Sequence, residues 1–551
     1  VVFNGEIYNY VELIPDLIAR GHVFKTRSDT EVLLHLYEEY GTEMCRFLRG
    51  MFAFAIMDMR QNRLFVARDH YGKKPVYYAR TAAGGLIFAS ELKALRVLAR
   101  ETGTRLLVSE QAIYDYLSLG VPPQPTTIYQ NVAMLMPGSW MTFDGAALTT
   151  ERYWRPDYTR KTTLPYAEVL EQVRALIAEA VHIRLRSDVP LGVLLSGGID
   201  SSIVAYQAAQ EVGATLQTFT VQVDDPALNE ADVARRTAQA LGVKNTILPM
   251  QVDPAETLQF IVRQYDQPFS DPSAIPSVAI SRLARQHVTV VLNGDGGDEL
   301  FAGYRRHLAA AVTENLDWVP AGVARAAASV LNAVAPGRRS ALGYAARMAR
   351  TLAYTRSERY LVRTTDALLE RDKRDIWRGG PVRPTEDWIE TVNPAGSGEL
   401  DVQMSRDVQI ILLSALLVKM DIATMSASLE GRSPLMDYKL GEFAMSLPAH
   451  YLLKGQTTKT LLRDAYRGRL PDEVIAGQKR GFEIPLAHWL EHDLRPLVMD
   501  TLAAKSARVR QYVADEYVDR LVAGEIMQER NHAYLLYALL MLELWLREFS
   551  A

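Results

Sequence analysis

The sequence predicts two domains of different class. An α+β domain of antiparallel sheets covered by helices comes first, followed by an α/β domain on a parallel sheet that closes in a helical part. Three observations carry this. Up to about residue 150, short apolar runs pair as hairpins around Arg60-Gln61-Asn62-Arg63 and Gly84-Gly85. From Pro165 onward, apolar strands alternate with helical patterns, the signature of a parallel sheet with helices on both faces. Two glycine-rich loops, Ser196–Ser202 and Gly294–Glu299, each follow an apolar strand.

The totals bound the answer. A chain of 551 residues can bury two or more cores, and 48% hydrophobic with 23% charged residues is ordinary for a globular protein. A net charge of −4 predicts no general attraction to nucleic acid or to anionic membranes. The single cysteine, Cys45, excludes an intramolecular disulfide and a cysteine metal cluster, which fits a reducing, cytoplasmic setting. The longest apolar run, Ala533–Leu542, is too short to cross a bilayer, and no signal peptide is visible. The chain opens on Val1-Val2-Phe3, which reads as the middle of a strand, so its natural N-terminus is expected to be missing.

In the first part, Asn4–Asn9 reads as a turn after a strand. Val11, Ile14, Leu17 and Ile18 then recur at helical spacing. Val32, Leu33, Leu36 and Tyr37 mark a second helix capped by Ser28 or Asp29. Met51–Met57 with Leu64–Ala67, and Val76–Ala79 with Leu86–Ala89, form the hairpins. Residues 120–165 are a join of turns and short strands. The boundary falls near Trp154, giving domains of 1–153 and 154–551.

In the second part, Val169, Val173, Leu176, Ile177 and Ala180 share one helical face. A buried strand, Val189–Leu195, leads into a helix through Gln210. A strand at Leu216–Val223 and a helix at Glu230–Leu241 follow, then two more helices and a final strand, Val288–Leu292. Residues 310–400 and 500–551 read as helical packing, with Leu535, Leu539, Leu542 and Leu546 on a buried C-terminal helix. Ligands of parallel sheets bind beyond the carboxyl ends of the strands, so both glycine-rich loops can serve one site.

The chemistry concentrates in the first loop. A strand turning through Gly197-Gly198 into a helix brings backbone close to an anion and offers the free N–H groups of a helix start. Ser196, Ser201 and Ser202 add hydroxyls, and Asp200 suits a phosphate site once a magnesium ion lies between them. The bland alternative is a Gly-Gly turn with a helix cap. The lysine of a Walker loop is absent. Ser-Gly-Gly-Ile-Asp-Ser-Ser resembles instead the pyrophosphate loop of the ATP pyrophosphatase superfamily. That resemblance implies cleavage of ATP between its α and β phosphates and adenylation of a substrate, on an adenine nucleotide α-hydrolase-like sheet.

A second resemblance covers the first domain. Asn4-Gly5-Glu6-Ile7-Tyr8-Asn9, Gly21-His22-x-Phe24, Ser28-Asp29-Thr30-Glu31, Gly50-Met51-Phe52-Ala53-Phe54, Arg68-Asp69-x-x-Gly72-Lys73-Lys74-Pro75 and Phe88-Ala89-Ser90-Glu91 are similar to the class II glutamine amidotransferase domain. It implies an Ntn-type αββα sandwich and an N-terminal cysteine nucleophile whose own α-amino group takes the thiol proton. It further implies Asn4 and Gly5 as oxyanion-hole donors, with Glu6 and Asp29 holding the amine and carboxylate region of glutamine. Read alone, Asn4-Gly5 is a turn dipeptide. Cys45 lacks an amine or histidine neighbour and reads as a buried, inert thiol.

Gly294-Asp295-Gly296-Gly297-Asp298-Glu299-Leu300-Phe301-x-Gly303-Tyr304 resembles the second signature of the asparagine synthetases. The resemblance implies that Asp298 pairs with Asp200 on magnesium and that Asp295 accepts a proton as ammonia attacks. The nucleotide contacts it implies are Leu194, Ser196, Gly197, Gly198, Asp200, Ser201, Ser202, Val221 and Gly294. Asp271-Pro272-Ser273-Ala274-Ile275-Pro276, Leu417-x-Lys419-x-Asp421, Ser428-Leu429-Glu430-x-Arg432-x-Pro434-Leu435-x-Asp437 and Lys459-x-Leu461-Leu462-Arg463 match the same family. Lys459 stands where that family has a phosphate-contacting lysine; the lesser alternative, on sequence alone, is a solvated helix lysine.

Three positions depart from the pattern. Asn293 replaces a serine, Ile422 replaces an arginine, and Gly477-Gln478-Lys479-Arg480-Gly481-Phe482 has lost its first arginine, with Arg480 as a compensation. Arginine grips carboxylates bidentately, so these losses bear on the acceptor. The expectation is amidation of aspartate through β-aspartyl-AMP, with ATP and Mg2+ as cofactors and with glutamine as nitrogen donor. Small molecules are the expected partners, with a homodimer open. The alternatives are a relative amidating another carboxylate, a tRNA-modifying pyrophosphate-loop ligase and a non-enzymatic scaffold.

Overall fold

The computed structural model describes all residues except 224–229, 315, 317, 335–340, 366–367, 393–397, 478–483, 526–531 and 550–551. The first half holds a five-stranded antiparallel sheet of order β1-β2-β3-β7-β8: Val2–Ile7, Gly50–Asp58, Arg63–Arg68, Ser139–Phe143 and Leu148–Arg152. A three-stranded sheet, β5-β4-β6 (Leu86–Ala89, Tyr77–Arg80, Ala133–Met134), packs against it. The period of two along β2 explains the layering. Phe52, Phe54 and Ile56 pack with Val32, Leu33 and Leu36 of the Asp29–Tyr40 helix. Ala53 and Ala55 turn the other way, onto Val76 just ahead of β4 and onto Tyr78 and Phe88 of the second sheet. Tyr77 and Ala79 on the outer face of that sheet bury against Leu92 and Leu95 of the Leu92–Glu101 helix. The result is the expected αββα sandwich.

Asn4–Ile7 is not the turn its composition suggests. It lies within β1, paired in register with β2, with Asn4 opposite Ala53 and Gly5 opposite Phe52; the turn begins at Tyr8. Ladder hydrogen bonds override the local turn preference of Asn-Gly. Ser28 caps the second helix as expected, accepting from the Thr30 N–H.

The second half is built on a five-stranded parallel sheet, β11-β10-β9-β12-β13. Its strands are Lys244–Pro249, Gln217–Gln222, Leu191–Leu194, Val290–Leu292 and Glu430–Arg432. Two of them were illegible in the sequence. β11 is a half-exposed edge strand that starts with three polar residues and ends in proline. β13 contains no apolar residue and extends the sheet beyond Val290–Leu292, which is therefore not its last strand. The central strand is also shorter than the apolar run, because Val189 is exposed ahead of Pro190.

Helices Tyr166–Arg184 and Ile199–Val212 cover one face of this sheet through Val173, Ile177, Ile203 and Val204. Ala274–Ala284 covers the other, where Ile280 meets Phe219 and Val291. The C-terminal helix His532–Phe549 buries Leu535, Leu539, Leu542 and Leu546, as its spacing implied. One continuous helical stretch, Glu399–Ser426, is long and apolar enough to span a bilayer, with mean hydropathy 1.8; 56% of that window is buried inside the protein. Its Asp407–Leu416 segment is π-helical.

Candidate active site

The two glycine-rich loops meet at neighbouring strand tips. After β9 the chain turns through Gly197, whose φ of +77° is the left-handed conformation that glycine tolerates, into the Ile199–Val212 helix. Ser201 ties the loop together: it accepts from the Ser196 N–H at 3.2 Å and donates to the Gly198 carbonyl at 3.1 Å. After β12 the second loop presses on the first. A Cβ at Gly297 would lie 2.6 Å from the Asp200 carboxylate, and one at Gly294 2.8 Å from the Ser201 nitrogen. This contact is possible only without side chains there.

Lys459 joins the two loops. It caps the Thr460–Tyr466 helix with a left-handed φ of +53° and is almost wholly buried. Its Nζ contacts the Asp200 carboxylate and lies 2.6 Å from Asp298 Oδ1. The two carboxylates therefore converge on one cationic point. Gly303 makes room for this, since a Cβ there would fall 2.0 Å from Asp298 Oδ1 and 2.3 Å from Lys459 Cε. Beside the triad, Glu299 accepts from the Tyr304 hydroxyl, and its carboxyl is pushed up to about 7, by burial first and then by the Asp298 charge.

These groups line a cleft of about 750 Å³. Its wall includes Leu194, Ser196, Gly197, Gly198, Asp200, Ser201, Val221, Gly294, Asp295, Asp298 and Lys459. Ser202 does not reach it. One residue beyond Ser201 on the helix, it turns about 100° away and is fully buried. The opposite wall carries Lys419, which donates to Asp271 at 3.0 Å and to Ser273 at 2.7 Å. Asn293 donates its side-chain amide to Asp295 Oδ2 at 2.7 Å, so the residue that departs from the family pattern orients the carboxylate. Ile422 packs into a hydrophobic core. Gln478 to Phe482, including Lys479, Arg480 and Gly481, lie outside the described residues.

The first-domain residues cluster at the end of β1. Asn4 donates its side-chain amide to Ser90 at 3.3 Å, and Asp29 accepts the Ile7 N–H at 3.0 Å. Gly5 lies between Asn4 and Glu6 on the strand. The Glu6 carboxyl is raised to about 7 by burial and then by neighbouring Glu430, which outweigh the opposing Arg432 guanidinium 3.4 Å away. Cys45 is fully buried, and burial pushes its thiol far up, which makes it inert.

Lys73 and Lys74 carry no assigned role in the sequence motif they belong to. The Asp69 carboxylate accepts the N–H groups of Tyr71, Lys73 and Lys74, folding this loop so that both lysines reach the second half. Lys73 Nζ donates to Ser433 Oγ at 2.6 Å, and Ser433 stands 3.5 Å from Asp295 Oδ2. Lys74 pairs with Asp421 at 2.7 Å, both buried. Burial lowers the Lys73 ammonium to about 8 against the opposing pull of Asp295. A small void of about 20 Å³, bordered by Gly50, Met51, Lys73 and Ser433, lies between the β2 edge and this linkage. The consecutive lysines before Pro75 were the one available signal.

An Ntn-type sandwich docked on a parallel sheet with two converging glycine-rich loops defines a two-domain enzyme that joins an amidotransferase layer to a nucleotide-binding α/β layer. Residues 172–547 match the family described as asparagine synthase, and residues 1–154 match the glutamine amidotransferase domain. The chain is 33% identical over 552 residues to glutamine-hydrolyzing asparagine synthetase 1 of Bacillus subtilis, covering 99% of this chain and 85% of that protein. It is 28% identical over 513 residues to glutamine-hydrolyzing asparagine synthetase 3 of the same organism, covering 89% and 76%. It is also 32% identical over 323 residues to amidase chyE of Penicillium rubens, covering 55% and 47%. The chain belongs to the asparagine synthase family, a family of carbon–nitrogen ligases.

Proposed function

We propose that this chain amidates aspartate to asparagine through an acyl-adenylate, using ATP and ammonia released from glutamine, with the two activities divided near Trp154. The observation that carries the reading is the convergence of Asp200, Asp298 and Lys459 where the two loops meet. An acceptor carboxylate oxygen attacks the α-phosphorus of ATP, and pyrophosphate leaves. The backbone N–H groups of the first loop and the Ser196 and Ser201 hydroxyls bind phosphate oxygens. Lys459 offsets charge on the departing pyrophosphate. Asp200 and Asp298 fit magnesium, since two hard carboxylate donors already face a single cation, and they would hold it; when bound, it neutralises phosphate charge.

Ammonia then attacks the acyl carbon, AMP leaves with the bonding electron pair, and Asp295 accepts the surplus nitrogen proton. Asn293, and Ser433 with Lys73 behind it, keep Asp295 oriented. Ammonia travels within the protein, past the void beside Lys73, because bulk water would protonate it. Glutamine is held at Asn4, Gly5, Glu6 and Asp29. The −4 net charge supports an enzyme without a nucleic-acid partner.

The changes at Asn293 and Ile422 favour one second reading, a different acceptor carboxylate on the same machinery. Pyrophosphate release with ammonia over a panel of acids separates the two. Aspartate is expected to give the highest kcat/KM. A different preferred acid would sink the aspartate assignment, and no release with any acid would sink adenylation itself.

The raised Glu6 carboxyl gives a pH signature. The carboxylate that pairs with the glutamine ammonium is formed only as pH rises through about 7. Calorimetric titration of glutamine is expected to show affinity rising between about pH 6 and 8 and levelling above, with Glu6→Gln weak and flat across the range. A flat profile in the unmodified chain would remove Glu6 from the glutamine site.

A further inference from the structure

Away from both reaction centres, His22, His35 and Glu38 bring three donor atoms together. His22 Nδ1 and His35 Nδ1 are 3.1 Å apart. Glu38 Oε2 lies 3.5 Å from the first and 3.3 Å from the second. Ligands held at about 2.0–2.1 Å from a tetrahedral zinc ion are separated by roughly 3.3–3.4 Å, so this triangle has the size of one face of such a site. A proton on His35 Nδ1 serves two of the three contacts and leaves the His22 Nδ1 lone pair 3.5 Å from the Glu38 carboxylate. If one Nδ1 carries the proton, the other presents a lone pair to the Glu38 carboxylate. If both carry protons, the two N–H groups confront each other. A cation at the centre of the triangle satisfies all three atoms at once.

The surroundings agree with that assignment. His22 Nε2 lies 2.9 Å from Glu39, a partner that places the proton on Nε2 and leaves Nδ1 free to bind a metal. His35 Nε2 is buried without a hydrogen bond, with the Glu31 carboxylate 3.6 Å away. Both imidazoles are largely buried, at 13% and 15% side-chain exposure, whereas Glu38 is open to solvent at 59%. Two ligands come from one face of the Asp29–Tyr40 helix at i,i+3 spacing, and the third comes from the loop after the Tyr10–Ala19 helix.

We propose that His22, His35 and Glu38 form a zinc-binding site, with a fourth position open to water, that clips the 20–28 loop onto the helix carrying Asp29. Imidazole donors select a borderline transition ion over magnesium, which keeps this site distinct from the carboxylate pair in the cleft. The test uses the full chain, freed of metal by a chelator and titrated with Zn2+ and, separately, Co2+. One zinc per chain is expected at this site, with the visible absorption of tetrahedral cobalt. His35→Gln is expected to weaken binding by about a hundredfold and Glu38→Gln by about tenfold, with unchanged circular dichroism. Glu38 is exposed, so its variant reads binding even if the histidine variant fails to fold. Zinc affinity unaltered by Glu38→Gln together with absent tetrahedral cobalt absorption would overturn the proposal.

Discussion

Asp298→Asn is expected to reduce ammonia- and acid-dependent pyrophosphate release by roughly 10²–10³-fold, about 3–4 kcal/mol on the barrier, the cost of removing one preorganised charged group from a reaction centre. Three features set the size. The Asp298 carboxylate is nearly buried, faces Lys459 at 2.6 Å, and shares that ammonium with Asp200. The amide of asparagine keeps the volume and the Gly303 contact but removes the negative charge. Lys459 then sits against Asp200 alone, and the pair loses half its capacity for a divalent ion. Isotope exchange between pyrophosphate and ATP is expected to fall in parallel, while glutamine affinity, which we propose rests on the residues at the end of β1, is expected to be unchanged. An ordinary ammonia-dependent rate in this variant would refute the assignment of the two carboxylates.

The second large effect concerns stability. Asp437→Ala is expected to destabilise the folded chain by about 3–5 kcal/mol, seen as a lower denaturant midpoint. The Asp437 carboxylate is fully buried and accepts from Arg49 Nε at 2.7 Å and from Arg184 Nη1 at 3.0 Å. Arg49 belongs to the first half and Arg184 to the second, so alanine leaves two buried guanidinium groups facing each other across the junction. It also removes the cap on the Tyr438–Met445 helix, where Asp437 accepts the Lys439 N–H at 3.1 Å. Burial alone would raise the Asp437 carboxyl, but Arg184 and Arg49 outweigh it and hold it below the usual range. A carboxyl depressed in the folded state contributes fully above its unfolded value of about 3.9, and the contribution drains away as pH falls below that. The unmodified chain is therefore expected to lose stability below about pH 4 more steeply than the variant. Equal acid sensitivity of the two would show that the guanidinium pairing contributes little.

The position of the two loops was legible because their pattern is written locally. The first loop needs an apolar strand, two glycines and hydroxyl residues in succession, and all of these appear in order before a helix. The second loop repeats the logic after Val290–Leu292. What stayed hidden depends on distant partners. β13 has no hydrophobic pattern because its place is set by backbone pairing with β12 and by Arg432 donating to the Arg184 and Arg186 carbonyls. Ser202 has the same chemistry as Ser201, yet one step of helical rotation sends it into the core. Asn4-Gly5 carries a turn's composition inside a strand because β2 supplies the missing partners. Lys73 and Ser433 are 360 residues apart, and no local pattern links them.

The loop bearing Lys73 and Lys74 has a consequence for how this molecule can be inherited. Each of the two lysines is matched by a group contributed from the far half, Ser433 for one and Asp421 for the other. Splicing the leading half of a cousin onto this trailing half would strand a burying ammonium against whatever residue replaced its mate. A functional chimaera is therefore expected only when each lysine is carried over together with its partner across the seam.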